Sequence, residues 1–212
     1  MTLGNSEGDN TSASYAGDLY LLLWKRLKRG KTEPLYPLRP GPLIKRHDGG
    51  LAAVVERWTL YHWQPNQLNA NANFWRDSAN SEEDIRSLSS GLGGIFLGTD
   101  SGVAAIVHLD GGTLGLKRER TSDGSYDSRD GVLATATDRA GNLAATGTLQ
   151  GQIKLYNPQP AINAPASVTE AHAREITAMS MTADGQMLVS ASGDGELKFW
   201  RVHNERLELF LR

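Results

Sequence analysis

His172, Ser190, Ser192 and Asp194 are the residues whose types and closeness in sequence could do chemistry, because a serine, a histidine and an aspartate in hydrogen-bond contact can make an acyl-transfer nucleophile. That chemistry needs a nucleophile setting such as the Gly-x-Ser-x-Gly elbow, and none surrounds these positions. The set is therefore read as structural, and the chain as a non-enzyme. The five histidines (His47, His62, His108, His172 and His203) are scattered. None has a partner at i+4 or joins a carboxylate cluster at ligand spacing, so no metal site is expected. No phosphate-cradling Gly-x-x-x-x-Gly-Lys-Ser/Thr occurs, and Gly91, Gly93 and Gly94 read as a turn between two predicted strands. The absence of cysteine excludes disulfides, thiolate zinc and thiol catalysis. No cofactor is expected.

These residues sit inside a repeat. Residues 132–157 and 176–201 follow one pattern at a constant offset of 44 residues without a gap. Gly141 falls on Gly185, Gly151 on Gly195, Ile153 on Leu197, Lys154 on Lys198 and Tyr156 on Trp200. A period in the forties marks an array of identical supersecondary units. In the second copy the runs Ile176–Met181, Met187–Ser192 and Glu196–Arg201 are separated by turns that contain glycine and aspartate. Runs this short, bounded in this way, predict β-hairpins rather than helices. Fourth strands are predicted at Arg206–Leu211 and Ala166–Glu170. A weaker copy lies upstream: Ile85, Gly94 and the run Ile95–Thr99 align with Ile176, Gly185 and the run from Gln186 at an offset of 91, until one residue is lost at the turn. Val103–Val107 and Thr113–Lys117 complete it. Three units are thus legible, over 84–118, 131–170 and 175–212.

The last unit, with Ala171-His172 before its first strand, Ser190 to Gly195 around a turn and Phe199-Trp200-Arg201 closing the third strand, resembles the repeat of WD-repeat (WD40) β-propellers. Gly-His and Trp-Asp pairs mark that family, and here each is half matched. The resemblance implies an all-β fold, a partial or incomplete propeller of four-stranded antiparallel blades. It also implies a hydrogen-bonded structural tetrad of His172, Ser190 or Ser192, Asp194 and Trp200, since such buried polar groups must satisfy one another. Upstream the tetrad is incomplete. The middle unit has Ser128, Thr146 or Thr148, Gln150 and Tyr156 at those places, and the first has Val107 in place of the tryptophan.

Residues 1–17 are expected to be disordered, on composition. Residues 18–83 form a basic and aromatic segment. Within it Leu19–Arg29 suits a short amphipathic helix or a strand, and Leu51–Trp63 is strand material for a further, degenerate blade. Lys25, Arg26, Lys28, Arg29, Lys31, Arg39, Lys45 and Arg46 make a basic patch broken by prolines. Its readings are a solvated linker, a nucleic-acid or import patch, a contact with an anionic membrane, or an arm for docking to partners. The longest apolar run, Leu19–Trp24, is too short to span a bilayer, and the N-terminus does not read as a signal peptide. A cytoplasmic or nuclear protein is expected.

A blade takes about 40–45 residues. The 212 residues therefore hold fewer blades than a large ring, and a second chain, cryptic N-terminal blades or a longer parent protein would have to close it. The functional expectation is a scaffold for protein–protein contacts. The resemblance places partners on the rim and top loops, where the sequence offers Glu82, Glu83, Asp84 and Arg86, then Arg129 and Asp130, then Arg174 and Glu175. Two alternatives stand beside it: a substrate receptor of a larger assembly such as a ubiquitin ligase, although no F-box pattern is clear, and an RNA-associated protein that uses the basic patch.

Overall fold

The structure is a computed structural model. It describes residues 2–3, 11–16, 20–26, 32–34, 41–46, 49–55, 59–63, 70–74, 84–107, 115–116, 131–158 and 165–212. Among them every element is a strand, and no helix is long and apolar enough to cross a membrane. The chain divides into two units, residues 1–82 and 83–212.

The first unit holds two four-stranded antiparallel meanders. One is β1 (Thr2–Leu3), β2 (Thr11–Ala16), β3 (Tyr20–Arg26) and β4 (Thr32–Pro34); the other is β5 (Leu43–Lys45), β6 (Leu51–Val55), β7 (Thr59–Trp63) and β8 (Ala70–Phe74). Leu19–Arg29 therefore contributes a strand rather than a helix. The disorder expected for residues 1–17 does not describe Thr11–Ala16, which pair residue for residue with β3. Pairing in a ladder satisfies the backbone of a segment whose composition alone cannot build a core.

The second unit holds three more meanders. The third sheet is β9 (Ile85–Gly91), β10 (Gly94–Thr99), β11 (Ala104–Val107) and β12 (Gly115–Leu116). The fourth is β13 (Val132–Thr137), β14 (Ala144–Thr148), β15 (Gln152–Tyr156) and β16 (Ser167–Glu170). The fifth is β17 (Ile176–Met181), β18 (Met187–Ser192), β19 (Leu197–His203) and β20 (Arg206–Leu211). The fold class is that of a partial propeller.

In the third sheet the first hairpin turns on Leu92 and Gly93 alone, because Gly91 pairs directly with Gly94. It is tighter than the turns at Asp138–Gly141 and Thr182–Gly185, so the offset of 91 does not hold along β10. The pairs Gly98 with Ala104, Gly147 with Ile153 and Ala191 with Leu197 fix the true equivalents.

Strand alternation gives each blade two faces. Ala145, Ile153 and Leu155 of the fourth sheet pack with Ile176, Leu188 and Trp200 of the fifth, and all are buried. Ala144 and Tyr156, on the opposite face, pack with Phe96, Ala104 and Ile106 of the third. Glycine at the joint is required by approach. A Cβ on Gly98 would lie 2.2 Å from Val132 Cγ1, and one on Gly147 would lie 2.6 Å from Ile176 Cγ2. A β-branched residue opening each inner strand thus seats in a recess that only glycine leaves.

Backbone hydrogen bonds repeat with the blades. The turn after each second strand donates to the loop before each first strand: Asp100 N to Asp84 O, Leu149 N to Gly131 O and Gly193 N to Glu175 O, at 2.9, 2.9 and 3.0 Å.

Candidate functional site

The loop between β16 and β17 carries His172, and its path is set by the turn of the preceding blade: Ala171 N and His172 N both donate to Gly151 O, at 3.1 and 3.0 Å. Ser190 lies on β18 and Trp200 on β19, both on the face turned to the fourth sheet, and both are buried. Asp194 sits in the turn between those strands. The indole N–H of Trp200 donates to Ser190 Oγ at 2.9 Å. Ser190 Oγ lies 2.8 Å from His172 Nε2, and His172 Nδ1 lies 3.1 Å from Asp194 Oδ2. A carboxylate only accepts, so Nδ1 carries the proton, Nε2 accepts the serine hydroxyl, and the serine oxygen accepts the indole. Asp194 also accepts Ala173 N at 3.1 Å and Glu196 N at 2.9 Å. Of the two serines left open by the sequence, Ser190 completes the relay. Ser192 instead donates to Arg174 O at 3.2 Å and accepts Asp194 N at 3.2 Å.

The serine, histidine and aspartate have the contacts of a hydrolytic triad but not its setting. Ser190 is 1% exposed and its oxygen already accepts the indole N–H. In this geometry the serine is a structural hydroxyl.

The fold also corrects the expectation that no histidine joins a carboxylate cluster. His172, Asp194 and Glu196 offer donor atoms within 4.8 Å of one another. Those atoms are engaged. Both His172 nitrogens are bonded within the tetrad, and Glu196 pairs with Lys198 at 3.1 Å and with Arg212. Lys198 Nζ also donates to Ala171 O at 2.6 Å. Two cations beside the set disfavour a metal ion there.

Burial holds the His172 pKa below its ordinary value of 6.5, against the opposing pull of Asp194. Desolvation alone would raise Asp194, but the Ala173 N–H and His172 outweigh it and hold the carboxylate below its ordinary 3.8. The signs are separable. An unfolded histidine takes up its proton at higher pH than the folded one, so the His172 contribution is complete above about pH 6.5 and falls as pH drops below it. The Asp194 contribution is present above about pH 3.8 and is lost on further acidification. Thermal melts are expected to be flat from pH 8 to 7 and to fall from pH 6.5 to 5, with a shallower fall in His172→Gln. An equal fall in the variant would take His172 out of the effect.

Among the described residues of the 83–212 unit, the full tetrad occurs in the last blade. At the positions of Ser190 and Trp200 the third sheet has Leu97 and Val107, both buried, so an apolar pair replaces a polar one. The fourth has Thr146 and Tyr156; the Thr146 hydroxyl is buried and finds no partner among the described residues. Ser128 lies outside the described residues.

Of the rim residues, Arg174 is 66% exposed at its side chain and approaches Glu175 at 3.7 Å. Asp84, expected among the rim residues offered to partners, is buried, 3.2 Å from Arg86, and its backbone N–H donates to Asp100 Oδ1 at 3.0 Å. Arg86 also lies 3.9 Å from Asp100. Glu82, Glu83, Arg129 and Asp130 lie outside the described residues, as do Lys28, Arg29, Lys31 and Arg39 of the basic patch. Lys25 and Arg26 are in β3, and Lys45 is exposed on β5. Arg46 corrects the reading of a fully solvated patch, since it is buried.

The family model described as "WD domain, G-beta repeat" matches residues 164–201. No curated protein matches the sequence. Solved structures share the fold at low identity. The Myceliophteria thermophila Cps50 (Swd1) β-propeller domain superposes with a TM-score of 0.68 at 12% identity, covering 94% of this chain and 67% of that one. The RRP9 WD40 repeats give 0.67 at 14% identity, covering 82% and 52%. A chain of the mitotic checkpoint complex gives 0.59 at 15% identity, covering 83% and 56%. The chain thus spans about half to two thirds of the length of these structures.

Proposed function

From the premise that this chain carries a WD repeat on a WD-repeat propeller fold, we propose that it is a non-catalytic scaffold that holds partner proteins on the rim of its blades. WD-repeat propellers generally serve as interaction scaffolds. The observation that carries the reading is the loop before β17. Its backbone is pinned, with Arg174 O accepting the Ser192 hydroxyl and Glu175 O accepting Gly193 N, while the Arg174 side chain projects into solvent. Opposite charges on a fixed backbone select a partner's orientation at little ordering cost. Such a scaffold would act in the cytoplasm or nucleus, or as a receptor within a larger assembly.

The combined reversal Arg174→Glu and Glu175→Arg is expected to weaken partner capture roughly tenfold, because rim charges act on association more than on folding. The melting temperature is expected to stay within about 1 °C, since exposed pairs contribute little to stability. Quantitative cross-linking of the full chain in cell extract, against the unchanged protein, measures the effect. Unchanged capture removes the loop from the interface. The RNA reading through the basic patch is the weaker one, because Arg46 is buried.

A further inference from the structure

A hydroxyl taken out of water without a partner costs more than an apolar group in the same place. Five buried side-chain hydroxyls of the 83–212 unit find no partner among the described residues: Ser87, Ser89, Thr135, Thr137 and Thr146. Register puts all five in one joint. In the third sheet Ser87 stands opposite Gly98, and Ser89 opposite Phe96. In the fourth, Thr135 stands opposite Thr146, and Thr137 opposite Ala144. Directly opposed residues of an antiparallel pair share a face, as do alternate residues of one strand. Phe96 and Ala144 pack together between the third and fourth sheets, so the five oxygens point into that joint.

The joint between the fourth and fifth sheets is built differently at the same places. Register makes Ala134 and Ala136 the equivalents of Ser87 and Ser89. Met179, Met181 and Ser190 are likewise the equivalents of Thr135, Thr137 and Thr146. Both alanines are buried, and both methionines pack against the same cluster. Ser190, the hydroxyl in this set, is bonded to His172 and to Trp200. The fold therefore does not require hydroxyls here, since apolar side chains fill four of the five equivalent positions one joint further on.

We propose that the joint between the third and fourth sheets is a hinge, at which the third sheet swings away while the fourth and fifth stay closed as a pair. In the closed joint the five hydroxyls meet neither solvent nor a described partner. When the joint parts, water reaches all of them, and this gain offsets the loss of apolar contact among Phe96, Ile106, Ala144 and Tyr156. Parting the other joint wets Ile153, Leu155, Ile176 and Leu188 and serves no equivalent set of unpartnered hydroxyls. One backbone bond spans each joint. Leu92 N donates to Arg139 O at 2.7 Å across the hinge, and Arg139 N donates to Ala183 O at 3.1 Å across the closed pair. Each amide thus reports the opening of its own joint. The hinge does not rest on the scaffold reading.

Amide hydrogen exchange of the full chain tests it at Leu92 and Arg139, each rate taken relative to that of the same amide in an unstructured peptide. Leu92 is expected to be protected about tenfold less than Arg139, or weaker still. One variant combines Ser87→Ala, Ser89→Ala, Thr135→Val, Thr137→Val and Thr146→Val, which removes the unserved oxygens and nearly keeps the shape. In it Leu92 exchange is expected to slow roughly tenfold while Arg139 is unchanged. A second variant, Thr135→Val with Thr146→Val, keeps the test available should the first fail to fold, and is expected to slow Leu92 about threefold. Equal protection of the two amides in the unchanged chain overturns the hinge. A Leu92 rate that holds or rises in the variants shows that the hydroxyls keep the joint shut by bonding one another, and overturns it as well. Equal slowing at both amides means a general gain in stability and removes the hinge from this joint. The rim-charge reversal is expected to leave both rates unchanged, so failure of the hinge and failure of the rim are distinguishable.

Discussion

Gly151→Ala is expected to destabilise the 83–212 unit by about 3–5 kcal/mol, whereas Gly195→Ala, at the equivalent turn, is expected to cost about 1 kcal/mol. Both glycines have positive φ, +85° and +84°. Each closes the same turn, with Gly151 N bonded to Thr148 O and Gly195 N to Ser192 O. The left-handed conformation alone costs an alanine about 1–2 kcal/mol at either site. The surroundings separate them. A Cβ on Gly151 would lie 2.3 Å from His172 O and 2.6 Å from Arg174 O, which are backbone atoms of the loop that carries the tetrad histidine. A Cβ on Gly195 would meet nothing within 4 Å. Relief at Gly151 therefore requires the loop to move, which breaks its bonds to Gly151 O and pulls His172 from Ser190. With about 3 °C per kcal/mol for a unit of this size, melting temperatures should fall by about 10–15 °C and about 3 °C respectively. Calorimetry of the two variants checks this, and equal shifts would show that the loop yields freely.

Ser190→Ala is expected to cost about 3 kcal/mol, more than an isolated buried serine should. The hydroxyl is the shared partner of two otherwise unserved groups, Trp200 Nε1 and His172 Nε2. Its removal orphans both in a buried site, at about 1–3 kcal/mol each, with partial relief by relaxation. Trp200→Phe removes one donor and leaves the serine bonded to the histidine, so its polar cost is nearer 1 kcal/mol, to which lost packing is added. The double variant is expected to be less destabilised than the sum by about 1 kcal/mol, because the indole cannot be orphaned twice. Urea denaturation with unchanged m-values measures all three. Strict additivity would mean that the indole and the hydroxyl do not share one network.

The periodicity of glycines and apolar runs was enough to read the blades of residues 84–212, because each blade is a local meander whose turns and alternation are written within forty-odd residues. Gly151 and Gly195 could be placed in turns for the same reason. The first unit was harder. Thr11–Ala16 has the composition of a loop and becomes a strand only by pairing with β3, a contact that composition does not encode. The alignment of β10 failed locally because a tight glycine hairpin replaced a longer turn while the strand pattern around it stayed the same.

Residue types and spacing alone determined that thiol chemistry was absent and that the units repeated, and the resemblance to WD-repeat blades implied that His172, Asp194 and Trp200 belonged to one polar set. Tertiary structure decided the rest. It chose Ser190 over Ser192, because strand alternation turns only one of them toward the histidine. It took Asp84 and Arg46 out of solvent, although their charges read as surface. It brought Glu196 beside His172 across a turn, and it left Val189, Ala191 and Phe199 half-buried and Leu197 exposed among the described residues. The physical reason is common to all four. Hydrogen bonding within a blade is local and legible in sequence, whereas burial depends on which blade comes next, and one chain position cannot report what lies across a joint.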